Sequence, residues 1–159
     1  MKILMALCIT GVLAKLPIES QTSASTRSFD LEHFDVTVTL SEKARQTLTD
    51  KKETIVVSAM FHGNPKKDSP GDYFEDHVPD NLGVRDIEIQ PGAIATFSGL
   101  RMQQDSRNHL DGRDPDLLIN VVSGRRSSKD NLLECDIYEG KLKAVSGKTI
   151  PISCKLIHE

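Results

Sequence analysis

Phe34-Asp35-Val36-Thr37-Val38-Thr39-Leu40 alternates apolar and polar side chains without a break. In an extended chain successive side chains point to opposite faces. Phe34, Val36, Val38 and Leu40 therefore share one face, and Asp35, Thr37 and Thr39 the other. This period of two predicts a strand with one buried and one wet face. Six further segments read as strands. Thr54 to His62 has an apolar centre, Ile55-Val56-Val57, which places it mid-sheet. Val84 to Gln90 and Ala93 to Ser98 flank the turn Pro91-Gly92 and are expected to form a β-hairpin. Asp116 to Ser123 sets Leu117, Leu118, Ile119, Val121 and Val122 around one amide, Asn120, and is expected to be the most buried strand. Asn131 to Tyr138 and Thr149 to His158 are the last two.

Helical signals are short. Ser41 is placed to cap Glu42 to Leu48, with Glu42 in the first turn where the helix dipole favours an anion. Ala44 and Leu48, four residues apart, can face the core. Gly140 to Gly147 has room for one helical turn. Strands at this spacing, without long amphipathic helices between them, predict an all-β protein. The expected fold is a single β-sandwich of about seven strands, Ig-like or transthyretin-like, with a short N-terminal helix. Gly63 to Asn81 and Leu100 to Asp114 carry no apolar period.

The N-terminus reads as an export signal. Lys2 gives a positive start, Ile3 to Leu16 is an apolar run too short to span a bilayer, and two small-residue exits follow, at Ala14 and Ala24. Residues 1–24 are read as a signal peptide, with Ala14 the alternative end, 25–33 as a flexible leader and 34–159 as the sandwich. Cleavage removes Cys8 and leaves Cys135 and Cys154. Leu133, Cys135 and Ile137 share one strand parity; Ile150, Ile152, Cys154 and Leu156 share another. Both sulfurs should face the core, and a periplasmic or secreted location favours a disulfide between them over two separate thiols.

Composition narrows the partners. The net charge is −3, and the signal segment carries a small positive excess, so the exported chain is slightly more acidic. Nucleic acid and anionic membrane surfaces both reward basic proteins. Neither is an expected partner, and no stable membrane insertion is expected after cleavage. There is no Trp, and Tyr73 and Tyr138 are the only tyrosines, which argues against a sugar- or base-stacking platform.

Candidate site residues fall in two places. Ser123-Gly124-Arg125-Arg126-Ser127-Ser128-Lys129 puts three cations on a tight turn directly after the strand expected to be most buried. A rigid strand presenting a basic tip is a common way to build a binding loop, and arginine is enriched at interface hot spots. Ser123, Gly124, Arg125, Arg126 and Lys129 are the expected binding residues, and a protein with an acidic patch the expected partner. Over these few residues the Ser-Gly turn resembles the inserting loops of periplasmic lysozyme inhibitors, without the tyrosine that follows there. The second place is the long loop 63–81, where Asp72, Asp76 and His77 are candidate metal ligands. No metal-binding frame surrounds them, and charges in such a loop ordinarily serve solubility.

No nucleophile elbow, phosphate-cradling glycine loop or other catalytic frame is present, and no cofactor is called for. The leading expectation is a non-enzymatic exported binding or inhibitor-type module. A metal-assisted or acid–base hydrolase using His62 and the long-loop carboxylates is one alternative, and a structural envelope-assembly component another.

Overall fold

The computed structural model describes residues 28–68 and 83–159. The expected signal peptide, Cys8 and the candidate ligands Asp72, Asp76 and His77 lie outside these residues. The described elements run β1 (Ser28–Asp30), β2 (Phe34–Leu40), α1 (Glu42–Asp50), β3 (Ile55–His62), β4 (Val84–Ile89), β5 (Ile94–Phe97), β6 (Arg101–Gln103), α2 (Gln104–His109), β7 (Asp116–Ser123), β8 (Leu133–Cys135), β9 (Tyr138–Lys141), α3 (Leu142–Val145) and β10 (Thr149–Leu156). Two four-stranded sheets pack together as an all-β sandwich. Sheet 1 has the order β5-β2-β10-β8 and sheet 2 the order β4-β3-β7-β9; β1 and β6 form a separate two-stranded ribbon.

The alternation read in β2 is realised at Phe34 and Val36, and β3 and β7, read from sequence as apolar runs, alternate in burial as well. Ile55, Val57, Ala59 and Phe61 of β3, and Leu117, Ile119 and Val121 of β7, are buried, while the residues between them are half-buried. These two strands pair along their whole length at the middle of sheet 2. Phe34 of β2 stacks on Phe97 of β5 (centroids 4.9 Å apart) and meets Phe61 of β3 edge-on at 6.5 Å, so one ring joins the two sheets. Full burial of such a side chain contributes roughly 2–3 kcal/mol.

Sheet 1 is held together by a parallel pair, β2 with β10, in which Ile150 lies opposite Val36 and Ile152 opposite Val38. Pro151 is tolerated in β10 because of the direction its nitrogen takes. The carbonyls of Lys148 and Cys154 accept from Asp35 and Ser41 on the β2 side, whereas that of Ser153 accepts from Asp136 on the β8 side. Odd-numbered residues of β10 thus point toward β8, and β8 reaches only Cys154 to Leu156. The missing N–H at 151 costs the ladder nothing.

Three expectations are corrected. Val84 to Gln90 and Ala93 to Ser98 are not a hairpin: Ile89 pairs with Ile55 in sheet 2, and Ile94 with Thr37 in sheet 1. The turn closed by Ala93 N–H on Gln90 O (3.0 Å) is an arch between the layers. Asn131 to Tyr138 is not one strand. The chain leaves sheet 1 after Cys135 and enters sheet 2 at Tyr138, which breaks the parity and leaves Ile137 64% exposed. Ser28–Asp30, within the stretch read as a flexible leader, pairs with Arg101–Gln103.

Cys135 and Cys154 are bonded, with sulfurs 2.06 Å apart. They are directly opposed across β8 and β10, one step from the hydrogen-bonded Asp136 and Ser153. Their Cα separation of 4.1 Å fits a non-hydrogen-bonded pair, where antiparallel side chains come closest. Cys154 is buried and Cys135 half-buried at the sheet edge, so the bond lies at the rim of the core.

Denaturant unfolding checks the layer assignments. Ile119→Ala should destabilise the fold by about 2–5 kcal/mol. Ile137→Ala should change it by under about 0.5 kcal/mol. Equal effects would restore a continuous strand through 131–138. Separately, Cys135→Ser should cost about 3 kcal/mol by the loop-closure argument.

Candidate functional site

The turn after β7 is built from three directions. At its neck Ser123 is buried and its N–H donates to Asn131 Oδ1 (2.9 Å), while its hydroxyl accepts the N–H of Leu132 (3.0 Å). Asn131 also takes the N–H of Leu133 (3.1 Å) and gives its amide to the Leu133 carbonyl (2.6 Å). The two ends of the turn are thereby locked together.

The second direction is the end of α1. Lys52 takes a left-handed conformation (φ 52°), the Lys52 N–H reaches Thr49 O (3.1 Å), and the Glu53 N–H reaches Leu48 O (2.8 Å). This is a Schellman closure with lysine where glycine is usual. It delivers Glu53, only 1% exposed, beneath the turn. Its carboxylate accepts from the N–H groups of Thr54 (3.0 Å), Arg126 (2.9 Å) and Ser127 (2.7 Å) and from the Ser127 hydroxyl (2.5 Å). Burial pushes this carboxyl's pKa up, but the four donors together outweigh it and hold the group at about 2.

The third direction is β4. Arg126 bonds Glu88 through two nitrogens, one of them Nε at 2.7 Å, and Thr54 donates its hydroxyl to the same carboxylate. The hydrogen bonds from Arg126, then that from Thr54, bring Glu88 down to about 2. Gly124 passes so close to Thr54 that a Cβ there would lie 1.8 Å from Oγ1. Its N–H donates to the Thr54 carbonyl (2.8 Å).

The five residues singled out in the sequence therefore divide. Ser123 and Gly124 hold the turn together, and Arg126 is engaged by Glu88. Arg125, in a left-handed conformation (φ 57°), and Lys129 are exposed and make no hydrogen bond or ion pair among the described residues. The organising residues Glu53, Glu88 and Asn131 were not found from sequence. Glu53 and Glu88 are isolated acids far along the chain from the turn, and Asn131 looks like any loop asparagine.

His62 is half-buried at the end of β3, opposite Asp116, whose carboxylate binds Lys141 Nζ (2.8 Å). No group of three His, Cys, Asp or Glu side chains able to hold a metal occurs among the described residues. No described helix is long and apolar enough to cross a membrane. No family model, curated protein or solved structure matches the chain.

Glu53→Ala leaves two backbone donors of the turn without an acceptor and should cost on the order of 2–3 kcal/mol. Glu53 has a depressed folded pKa, so its stabilisation is complete above its ordinary value of 4.5 and fades as pH falls toward 2. Thermal unfolding between pH 6 and 2 should show the wild type converging on Glu53→Gln at the acid end. A constant gap would reject the role given to this carboxylate. Gly124→Ala should destabilise by about 1–3 kcal/mol through overpacking against Thr54.

Proposed function

We propose that this protein is an exported, non-enzymatic binding module whose β7–β8 turn engages an acidic surface on a protein partner. The observation that carries the reading is the clamping of the turn by buried Glu53, which leaves Arg125 and Lys129 projecting from a backbone already ordered. Ordering a loop before association removes an entropic cost that a flexible loop would meet on binding. Export is supported by the charged and apolar start of the chain and by the Cys135–Cys154 bond. Arg126 has a supporting part here, because its fork is already filled by Glu88.

A role in assembly is the second reading, favoured by the outer face of sheet 2. There Val56, Met60, Leu118 and Val122 are only half-buried and Val84 is 52% exposed. Such aliphatic patches mark contact surfaces when they are extensive. Concentration-dependent association that Leu118→Glu abolishes would support it over the binding tip.

Immobilised poly-L-glutamate is a direct probe of the tip. Wild-type binding should weaken as salt rises, since exposed charges are screened over about 8–10 Å at physiological ionic strength. Arg125→Ala/Lys129→Ala should reduce affinity at least tenfold, about 1.4 kcal/mol, with unchanged thermal stability. The charge-matched Lys43→Ala/Lys67→Ala, at exposed positions away from the turn, should have a much smaller effect. Equal losses in the two double variants would reduce the attraction to overall charge and overturn the reading.

A further inference from the structure

Away from the β7–β8 turn, a cleft of about 300 Å³ opens where β1, the residues leading into β7 and α3 meet. Its apolar wall is Leu31, half-buried, with Pro115 and Leu142, both buried. Six charged side chains also line it, three acidic and three basic. Most are already committed. Asp30 is paired with Arg101 at 2.8 Å, outside the lining, and Asp114 with Arg107 at 3.6 Å. Glu32 accepts the Ser146 hydroxyl. Arg107 has a second task, donating Nε–H to the Arg113 carbonyl at 3.0 Å.

That leaves two cations. Arg113 and Lys143 line the cleft and make no side-chain hydrogen bond or ion pair among the described residues. Arg113 is also held in an uncommon backbone state. It follows Gly112 (φ 73°) at φ 59°, within the short 3-10 turn Asp111–Arg113, and the Arg107 side chain fastens its carbonyl. Left-handed conformations at residues other than glycine are uncommon, and structures keep them where the surroundings over-determine them. A guanidinium on such a buttressed backbone and an ammonium on α3, both without a side-chain partner among the described residues, thus line the same amphipathic cleft as Leu31, Pro115 and Leu142. Ligand sites combine apolar wall with polar groups that fix orientation, and this cleft, with three apolar and six charged side chains, leans to the polar side.

We propose that this cleft binds a small aliphatic carboxylic acid, its carboxylate taken up by Arg113 and Lys143 and its hydrocarbon body lying on Leu31 and Leu142. Guanidinium suits the planar carboxylate through paired N–H bonds, and the lysine adds a point charge. A cleft of about 300 Å³ has room to spare for a short-chain acid. Among the described residues Glu32 carries the one lining carboxylate with no cation bonded to it, so it can also receive an α-ammonium group. The site thus admits either a simple fatty acid of short chain or an α-amino acid, and the shared chemistry is the carboxylate.

Three probes of equal chain length test this by backbone-amide chemical-shift titration of the full mature protein. They are butyrate, 2-aminobutyrate and the uncharged butanamide. Butyrate or 2-aminobutyrate should give saturable shifts at Leu31, Glu32, Arg113 and Lys143, with a dissociation constant of about 10 mM or below, modest as suits so few atoms. Butanamide should bind at least tenfold more weakly. Tighter binding of 2-aminobutyrate than of butyrate, lost in Glu32→Gln, would identify the amino acid; the reverse order would identify the simple acid. Arg113→Ala/Lys143→Ala should abolish the shifts, and Arg113→Lys should retain part of them, with melting temperatures confirming that each variant folds. Butanamide binding as well as butyrate, shifts persisting in the double alanine variant, or no saturable shift with either acid would overturn the proposal. Because Arg125 and Lys129 play no part in this cleft, Arg125→Ala/Lys129→Ala should bind the acids as wild type does.

Discussion

The carboxylate of Glu53 is the point at which separate parts of this chain are tied together. It sits where α1 ends and β3 begins, and it accepts hydrogen bonds from residues more than seventy positions downstream. An ionised group removed from water is costly unless its lone pairs are filled. Here four donors fill them, three from the backbone, so ionisation and the shape of the β7–β8 turn depend on one another. The same contact fixes Thr54, which holds Gly124 through its carbonyl and Glu88 through its hydroxyl. Without the buried carboxylate, the backbone N–H groups of Arg126 and Ser127 would lose their acceptor, and the turn would keep the Asn131 lock at its neck and the Arg126–Glu88 fork.

Much of the layering was legible because a period of two says which residues face inward. It does not say which sheet they belong to. Ile87 and Ile89 in β4, and Ala95 and Phe97 in β5, show the same alternation whether their strands lie side by side or face each other across the core. The Pro91-Gly92 turn suits both, so a hairpin and an arch look alike in sequence. Ile137 was misread for a related reason. Parity holds only while a strand stays in one sheet, and Asp136-Ile137 is where the chain crosses to the other. The β1–β6 ribbon was hidden because three-residue strands carry too few positions to show any period.

The basic turn was legible as a cluster of residue types, but not as a division of labour. Whether an arginine is free depends on what stands opposite it, and for Arg126 that is Glu88 on an edge strand 38 residues earlier. The pair is exposed, so its chief effect is on orientation: a two-point fork fixes the guanidinium plane and draws the side chain along β4. Arg125 and Lys129 differ from it only in lacking such a partner among the described residues. The cleft was invisible in sequence for the same reason. Leu31, Arg113 and Leu142 come from three regions read as a leader, a polar stretch and a short connector with room for one helical turn.

The two cationic features stand at opposite ends of one strand. Arg113, Asp114 and Pro115 lead directly into β7, and Gly124 and Arg125 leave it directly. Eight residues at about 3.3 Å each set them roughly 25 Å apart, well beyond the range of screened surface charge. β7 pairs with β3 along its full length and with β9 over its first half, and its inward residues lie in the packed core. A strand held on both sides cannot shift register by one residue without turning Leu117, Ile119 and Val121 toward solvent. It therefore transmits no sliding motion between its ends. A small acid at one end and an acidic surface at the other should bind independently, each on a turn fixed by hydrogen bonds of its own: Glu53 beneath Arg126 and Ser127, and Arg107 behind Arg113.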